Sequence, residues 1–428
     1  MESPKCAESD AACRLILPTP CRHPAPCGIP CELRLGPERH ARIELGSLAR
    51  LAIMAVPGTR GSFQEQAEDL FAQVRCLVDR QDVALAATTL MVFLKDGRDE
   101  AECRIAIASH FNDQPPVTTF VVQPPCCGAA LGIELWAIGG PDVTVHRLGP
   151  DTLVVDADGI RWCHCGGIRG GTSIGGPYAE SMGMFQSLRQ HLSHAGMGID
   201  QVVRTWIYVN RITETCGEVQ RYQELNRART DFFRDIQFGQ RLSSGSRNRR
   251  AFPASTGIGT AGDSIAIACL ALDTARSDVF VRPLENPNQT PAYAYDSSYS
   301  PQSPKFSRAM VIVQGKFASF LVSGTASIVD SKTVHAGDPA RQTEQTLDNI
   351  ERLIASDNVA QSGLPGFGAG ARDIAKLRVY VKRIEDYGTC REVVERRWPG
   401  VPAIYLCADI CRPDLLVEVE AVAFAPRR

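Results

Sequence analysis

One order of elements occurs three times along this chain, and a sequence built that way has few folds open to it. The last copy is the clearest. Residues 306–323 (FSRAMVIVQGKFASFLVS) read as two strands around Gln314-Gly315. In RQTEQTLDNIERLIA (341–355), Thr343, Leu347, Ile350, Leu353 and Ile354 form one stripe of a helix. A strand at 374–381, a short helix at 387–397, a strand opened by Pro402 and a final strand at 415–424 complete the order ββαβαββ. The middle copy runs through strands within 152–165, a helix at 179–195, a strand at 202–209, a helix at 219–235 and strands at 253–258 and 264–272. The first uses opening strands within 41–55, a helix from Gln64, a strand at 88–94, a helix at 100–110 and strands at 116–122 and 132–138. The links TLMVFLKD (89–96), TWIYVNRI (205–212) and LRVYVKRI (377–384) align most readily.

In each copy both helices cross one face of a mixed sheet, so the other face stays apolar and has to be covered. Three copies can cover one another. The expected fold is therefore α+β, with three tandem ββαβαββ domains closed into a single-chain pseudo-trimer, monomeric or weakly self-associating. The expected boundaries are a poorly ordered Cys/Pro-rich arm at 1–38, an atypical first domain at 39–140, a second domain at 150–275, a linker loop at 276–303 and a third domain at 304–428. Gly166-Gly167-Ile-Arg-Gly-Gly171 lacks the P-loop Lys-Ser/Thr and the dinucleotide spacing, and reads as a flexible loop.

Composition narrows the function. The 428 residues carry a net charge of about −2, so no basic surface argues for nucleic acid. No run of about 18 apolar residues argues for a membrane span, and the N-terminus lacks the basic and apolar regions of a secretory signal. A cytoplasmic protein is expected. The 16 cysteines contain no C-x-x-C pair; CRHPAPCGIPC (21–31) comes nearest to a metal cluster, and no metal is expected. The remaining thiols read mostly as reduced core residues.

The strand at 415–424 places Glu418 and Glu420 on the face opposite Val417, Val419 and Ala421. Arg378, Tyr380 and Lys382 likewise share one face of their strand and read as a cleft wall or a solvent-facing edge. Arg308 and Arg229 are further candidates for an anion. Ser255-Thr256-Gly257 offers hydroxyls and a backbone N–H between the second and third domains, or simple turn chemistry. Gly324 permits close backbone approach to a ligand, or a strand-end turn.

Val322-Ser-Gly-Thr-Ala326, Gln342-Thr-Glu-Gln-Thr-Leu-Asp-Asn-Ile350, Val379-Tyr-Val381 and Val417-Glu-Val-Glu-Ala421 together resemble the Rid (YjgF-like) superfamily, commonly homotrimers with ligand clefts between subunits. A narrower resemblance, from about residue 150 to the end, is to the chorismatases. It rests on Thr205-Trp-Ile-Tyr208, Asn226-Arg-Ala-Arg-Thr-Asp-Phe-Phe233, Pro253-Ala-Ser-Thr-Gly-Ile-Gly259, Ser323-Gly-Thr-Ala-Ser-Ile-Val329 and Ala408-Asp-Ile-Cys-Arg412 with Asp414-Leu-Leu-Val-Glu418. The resemblance implies a cofactor-independent enzyme acting on a small carboxylic acid, chorismate, with Glu418 as general acid. It also pairs Cys411 with Gly324, as in members that form 3-hydroxybenzoate. Cys411 as a thiolate, with its proton affinity lowered by Arg412, would be a nucleophile or base. Gly324, Thr325, Arg308, Tyr380, Lys382, Arg378, Ser255, Thr256, Gly257 and Arg229 are the expected substrate contacts. A Rid imine deaminase carries an Arg after Pro-Ala, where this chain has Ile404, and a Tyr where it has Phe306. A hydrolase or deaminase of a small imine, or a non-catalytic binder, are the other readings. By alignment the first copy keeps the acid as Glu134, in a structural or vestigial role, and the middle copy replaces it with Ala266.

Overall fold

The computed structural model describes residues 31–36, 39–111, 114–171, 175–239, 251–296 and 301–428. Among the described residues three large sheets share one six-strand order, and the third adds the short strand Thr325–Ala326 beside Val417–Pro426. The first orders its strands Cys31–Gly36, His40–Leu45, Leu48–Ala55, Leu131–Gly139, Ala86–Leu94 and Val117–Val122. The second orders Thr144–Gly149, Thr152–Ala157, Ile160–Arg169, Ala266–Thr274, Val202–Asn210 and Ala254–Thr260. The third orders Val279–Leu284, Ala309–Gln314, Phe317–Val322, Val417–Pro426, Ile374–Val381 and Ala403–Cys407. In each, the last two strands named pair in parallel and the central pairs are antiparallel.

Two long helices serve each sheet: Phe63–Asp79 with Glu100–Phe111, Gly176–His194 with Arg221–Phe232, and Pro339–Ile354 with Tyr387–Arg397. Local chemistry starts them. Ser62 and Glu65 form a capping box, and Asp338 accepts the Arg341 N–H with Pro339 in the first turn. The expected stripe of Thr343, Leu347, Ile350, Leu353 and Ile354 is buried. Each helix layer and its sheet form a separate core. The opposite sheet faces share two others. One joins Ile43 and Ala52 of the first sheet to Leu153 and Trp162 of the second and Ile312 and Phe424 of the third. The other gathers Met91, Tyr208 and Tyr380.

Three readings are corrected. The edge strand Val279–Leu284 lies inside the segment expected as a linker loop and pairs with Ala309–Gln314. Cys31–Gly36, at the end of the expected arm, pairs with His40–Leu45; the rest of the arm's residues, 1–30 and 37–38, lie outside the described residues. Both strands are only six residues long, and Val279–Leu284 carries Pro283, which an edge tolerates and an interior strand does not. Such segments give little alternation to read. Gly166 and Gly167 belong to strand Ile160–Arg169 rather than to a flexible loop, and a Cβ at Gly166 would stand 2.6 Å from Thr119 Oγ1 of the first sheet. Among the described residues no helix is long and apolar enough to cross a membrane.

Candidate active site

The second and third sheets enclose a cleft of about 790 Å³. Helix Arg221–Phe232 turns Tyr222, Asn226 and Arg229 toward it, at the i, i+4, i+7 spacing of one helical face. Ser255 and Gly257 of strand Ala254–Thr260 form the floor, and a Cβ on Gly257 would press to 3.0 Å on the Tyr222 ring. The third domain supplies Phe306, Arg308, Gly324, Cys411 and Glu418.

Glu418 is only 5% exposed. Burial, followed by the charge of neighbouring Glu420, raises its proton affinity to about 8, against the opposing pull of Arg204 and Arg308. The carboxyl lies directly on Gly324, where a Cβ would stand 2.0 Å from Glu418 Oε1. Gly324 is thus a matter of room, and no left-handed backbone is involved. Its N–H donates to Thr256 Oγ1 at 3.0 Å, and Thr256 in turn donates to Glu420 Oε2 at 2.5 Å.

Two buried guanidiniums face the cleft. Arg229 donates to Asn226 Oδ1 at 2.6 Å and to Ser255 Oγ at 3.4 Å; Arg308 donates to the Thr290 carbonyl at 3.2 Å and to the Tyr295 hydroxyl. Phe306 stands between them, with guanidinium carbons 5.8 and 5.6 Å from its ring centre. Neither makes an ion pair among the described residues, and the Nε of each is buried without a partner. A buried cation left in that state favours an anionic ligand.

Residues 173–271 match the family described as chorismatase FkbO/Hyg5-like, N-terminal, and residues 301–425 match endoribonuclease L-PSP. A 3-hydroxybenzoate synthase of Streptomyces hygroscopicus is 33% identical over 313 residues, which is 66% of this chain and 86% of that protein. The chain belongs to the chorismatase family. A chorismatase of the same organism is 34% identical over 273 residues, covering 62% of this chain and 74% of its own. A chorismatase crystal structure aligns over 87% of this chain and 98% of its own, with a TM-score of 0.61 at 24% identity, so the likeness extends to the fold.

In this chorismatase-family chain several expected contacts do not reach the cleft. Arg378 donates to Glu134 through Nε and to the Tyr208 hydroxyl at 3.2 Å, and lies 3.1 Å from Glu420. Tyr380 packs in the core common to the three sheets. The alternation that placed these two on one face was sound, but that face is closed by the other two sheets. Lys382 binds Asp409 and the Pro413 carbonyl, both at 3.0 Å. Thr325 donates to the Ser323 carbonyl, and Thr256 supports Gly324 from behind. Cys411 does line the cleft. Burial, then Glu418, pushes its thiol up to about 12, outweighing Arg412. These surroundings favour the thiol over the thiolate, against the expectation that Arg412 lowers its proton affinity.

Glu420 and Glu134 hold the sheets together. Glu420 accepts from Arg204 at 2.8 Å and Trp206 Nε1 at 3.1 Å; Glu134 accepts from Lys376 at 2.9 Å and Trp136 Nε1 at 2.7 Å. Cross-strand register corrects the repeat alignment. Each middle strand has a bulge, at 87/89, 202/204 and 374/376. Counting from it, Met91, Trp206 and Arg378 correspond, facing Glu134, Ala268 and Glu420. One pair further on, Phe93, Tyr208 and Tyr380 face Gly132, Ala266 and Glu418. Glu134 is the counterpart of Glu420, so only the third copy has a carboxylate at the position of Glu418.

Proposed function

We propose that this chain cleaves chorismate at the cleft between the second and third sheets, with Glu418 as general acid and pyruvate as one product. The observation that carries this reading is a sheltered carboxyl whose proton affinity is raised to about 8, beside two guanidiniums that make no ion pair among the described residues. Chorismate has a ring carboxylate and an enolpyruvyl carboxylate, one for each of Arg229 and Arg308. Glu418 gives its proton to the enol-ether methylene, which becomes a methyl group, and the adjacent carbon becomes an oxocarbenium ion. Breaking the ether linkage then frees pyruvate. With one water added, the ring leaves as a dihydroxycyclohexadiene acid. With no net water, it leaves as a hydroxybenzoate. The pairing of Cys411 with Gly324 and the likeness to a 3-hydroxybenzoate synthase support the second outcome. No cofactor takes part in this scheme.

The test is purified protein with chorismate, followed by a coupled pyruvate assay and chromatography of the ring product. Pyruvate with 3-hydroxybenzoate is expected. A diol in its place would correct the product, and the absence of pyruvate would overturn the reading.

Because Glu418 must hold its proton, kcat is expected to be at its plateau at and below neutrality and to fall as pH rises through about 8. A pH profile at saturating chorismate checks this. Arg229→Met and Arg308→Met are each expected to raise KM by about 10–100-fold, the worth of a charge-assisted hydrogen bond. Gly324→Ala is expected to push the Glu418 carboxyl aside, lowering kcat at least ~10-fold while the melting temperature changes little, because a flexible side-chain end gives way rather than backbone.

The three sheet-and-helix units are further inferred to be Rid-like repeats forming a single-chain pseudo-trimer. Their common strand order and shared inner cores support this. Sedimentation is expected to give the 46.5 kDa mass of one chain; a stable trimer of chains would count against it.

A further inference from the structure

Apart from the cleft, the three sheets meet around a cavity of about 100 Å³, and no residue lines both. Its walls are largely apolar, with Trp136, Trp162, Leu321 and Phe424 among them. Charge nevertheless concentrates there. Arg50, Lys376, Arg378 and Glu134 line it, and Arg204 and Glu420 join the same buried network. Four cations thus stand against two carboxylates, a surplus of two. Burial lowers the proton affinity of Lys376, so its deprotonation would still leave a surplus of one.

Arg50 differs from the other three cations. Lys376, Arg378 and Arg204 each reach a carboxylate within 3 Å. The Arg50 side chain makes no hydrogen bond and no ion pair among the described residues, and its Nε is buried without a partner. Its guanidinium carbon sits 4.7 Å from the Trp162 ring centre, and the half-buried side chain lines the cavity. The neighbouring His164 supplies no charge. Its Nδ1 is 2.9 Å from Thr89 Oγ1, and burial, then Arg50, holds the ring neutral. Burial also brings Arg50 itself down to about 10.

We propose that Arg50 and the cationic wall of this cavity form a binding site for a small, weakly hydrated monovalent anion, chloride or one of similar size. A half-buried guanidinium whose Nε is shut away without partner or counter-charge is poorly solvated, and water brings dipoles but no charge. The volume admits an ion of this size, and aromatic and aliphatic walls disfavour strongly hydrated divalent anions. The site ties Arg50 of the first sheet to Lys376 and Arg378 of the third, so its occupancy stabilises the junction by mass action.

The test uses the full chain and halide. Crystals grown without halide and soaked in bromide are expected to show an anomalous peak against the Arg50 guanidinium. In solution, at fixed pH and ionic strength, replacing gluconate by chloride or bromide is expected to raise the melting temperature by about 2 °C or more. Arg50→Met should lose that difference. Bromide found only at surface positions, or equal melting in halide and gluconate, would overturn the proposal. If Arg50→Met fails to fold, the bromide map of the native chain decides alone. Neither readout depends on chorismate turnover.

Discussion

Glu418→Gln is expected to lower chorismate turnover by about 10²–10⁴-fold, the usual worth of a positioned general acid. Gln keeps the size and the seat against Gly324 but has no proton to give to carbon. Substrate affinity should change little, because Arg229 and Arg308 are untouched. Single-turnover kinetics with calorimetric binding separate the two effects. Turnover within a few-fold of the native value would remove Glu418 from the reaction. A second readout moves the opposite way. Glu418 has its proton affinity raised in the folded chain, so its contribution to stability is full below the unfolded pKa and is lost as pH rises through about 8. Above pH 8 the native chain must keep a buried carboxylate or lose the fold, whereas the Gln variant does not. The variant is therefore expected to be the more stable protein there, on the order of a few kcal/mol. Loss of activity with gain of stability is what a functional group under strain predicts, and a merely structural Glu would not show it.

Glu420→Ala is expected to do the reverse, costing about 3–5 kcal/mol of stability, the penalty for breaking a buried ion pair from one side. Arg204 would be left with a desolvated charge, Arg378 would keep only Glu134, and Thr256 would lose the carboxylate it donates to beneath Gly324. Denaturant unfolding should show a lower midpoint. Burial raises the proton affinity of Glu420, but Arg378, Arg204 and Lys376 together outweigh it and hold the group below its ordinary value. Its stabilisation is therefore present above the unfolded pKa and lost as pH falls through the folded one. A midpoint unchanged from the native chain would show that the junction does not depend on this carboxylate.

Two glutamates separated by one residue thus stand in different surroundings, and alternation alone could not divide them. Period-two alternation put Glu418 and Glu420 on one face, which is correct. That face, however, passes from the cleft to the closed junction within two residues, and only the packing of the other sheets reveals where. The same blindness sent Arg378 and Tyr380 to the substrate. The repeat was legible because seven elements recur with helix and strand periods intact, and the stripe from Thr343 to Ile354 was read correctly. The edge strands Thr144–Gly149 and Val279–Leu284 escaped because short, half-exposed strands carry little pattern. The misplacement of Glu134 has a specific cause: Ile133-Glu134-Leu135 fits Val417-Glu418-Val419 and Val419-Glu420-Ala421 alike, and only cross-strand register separates two matches that differ by one period of the strand. The stripe of Tyr222, Asn226 and Arg229 could have been found. Three polar residues at helical spacing on a face that must pack are a signal in themselves, and Arg229 alone was taken from it.

The positions Gly132, Ala266 and Glu418 have a consequence for how such a molecule can vary. In a ring of identical subunits every mutation is written three times, so each crevice must tolerate whatever the others need. Here a change is written once. One corner is free to specialise in handling protons, while the other two can trade polar groups for small ones and serve as masonry.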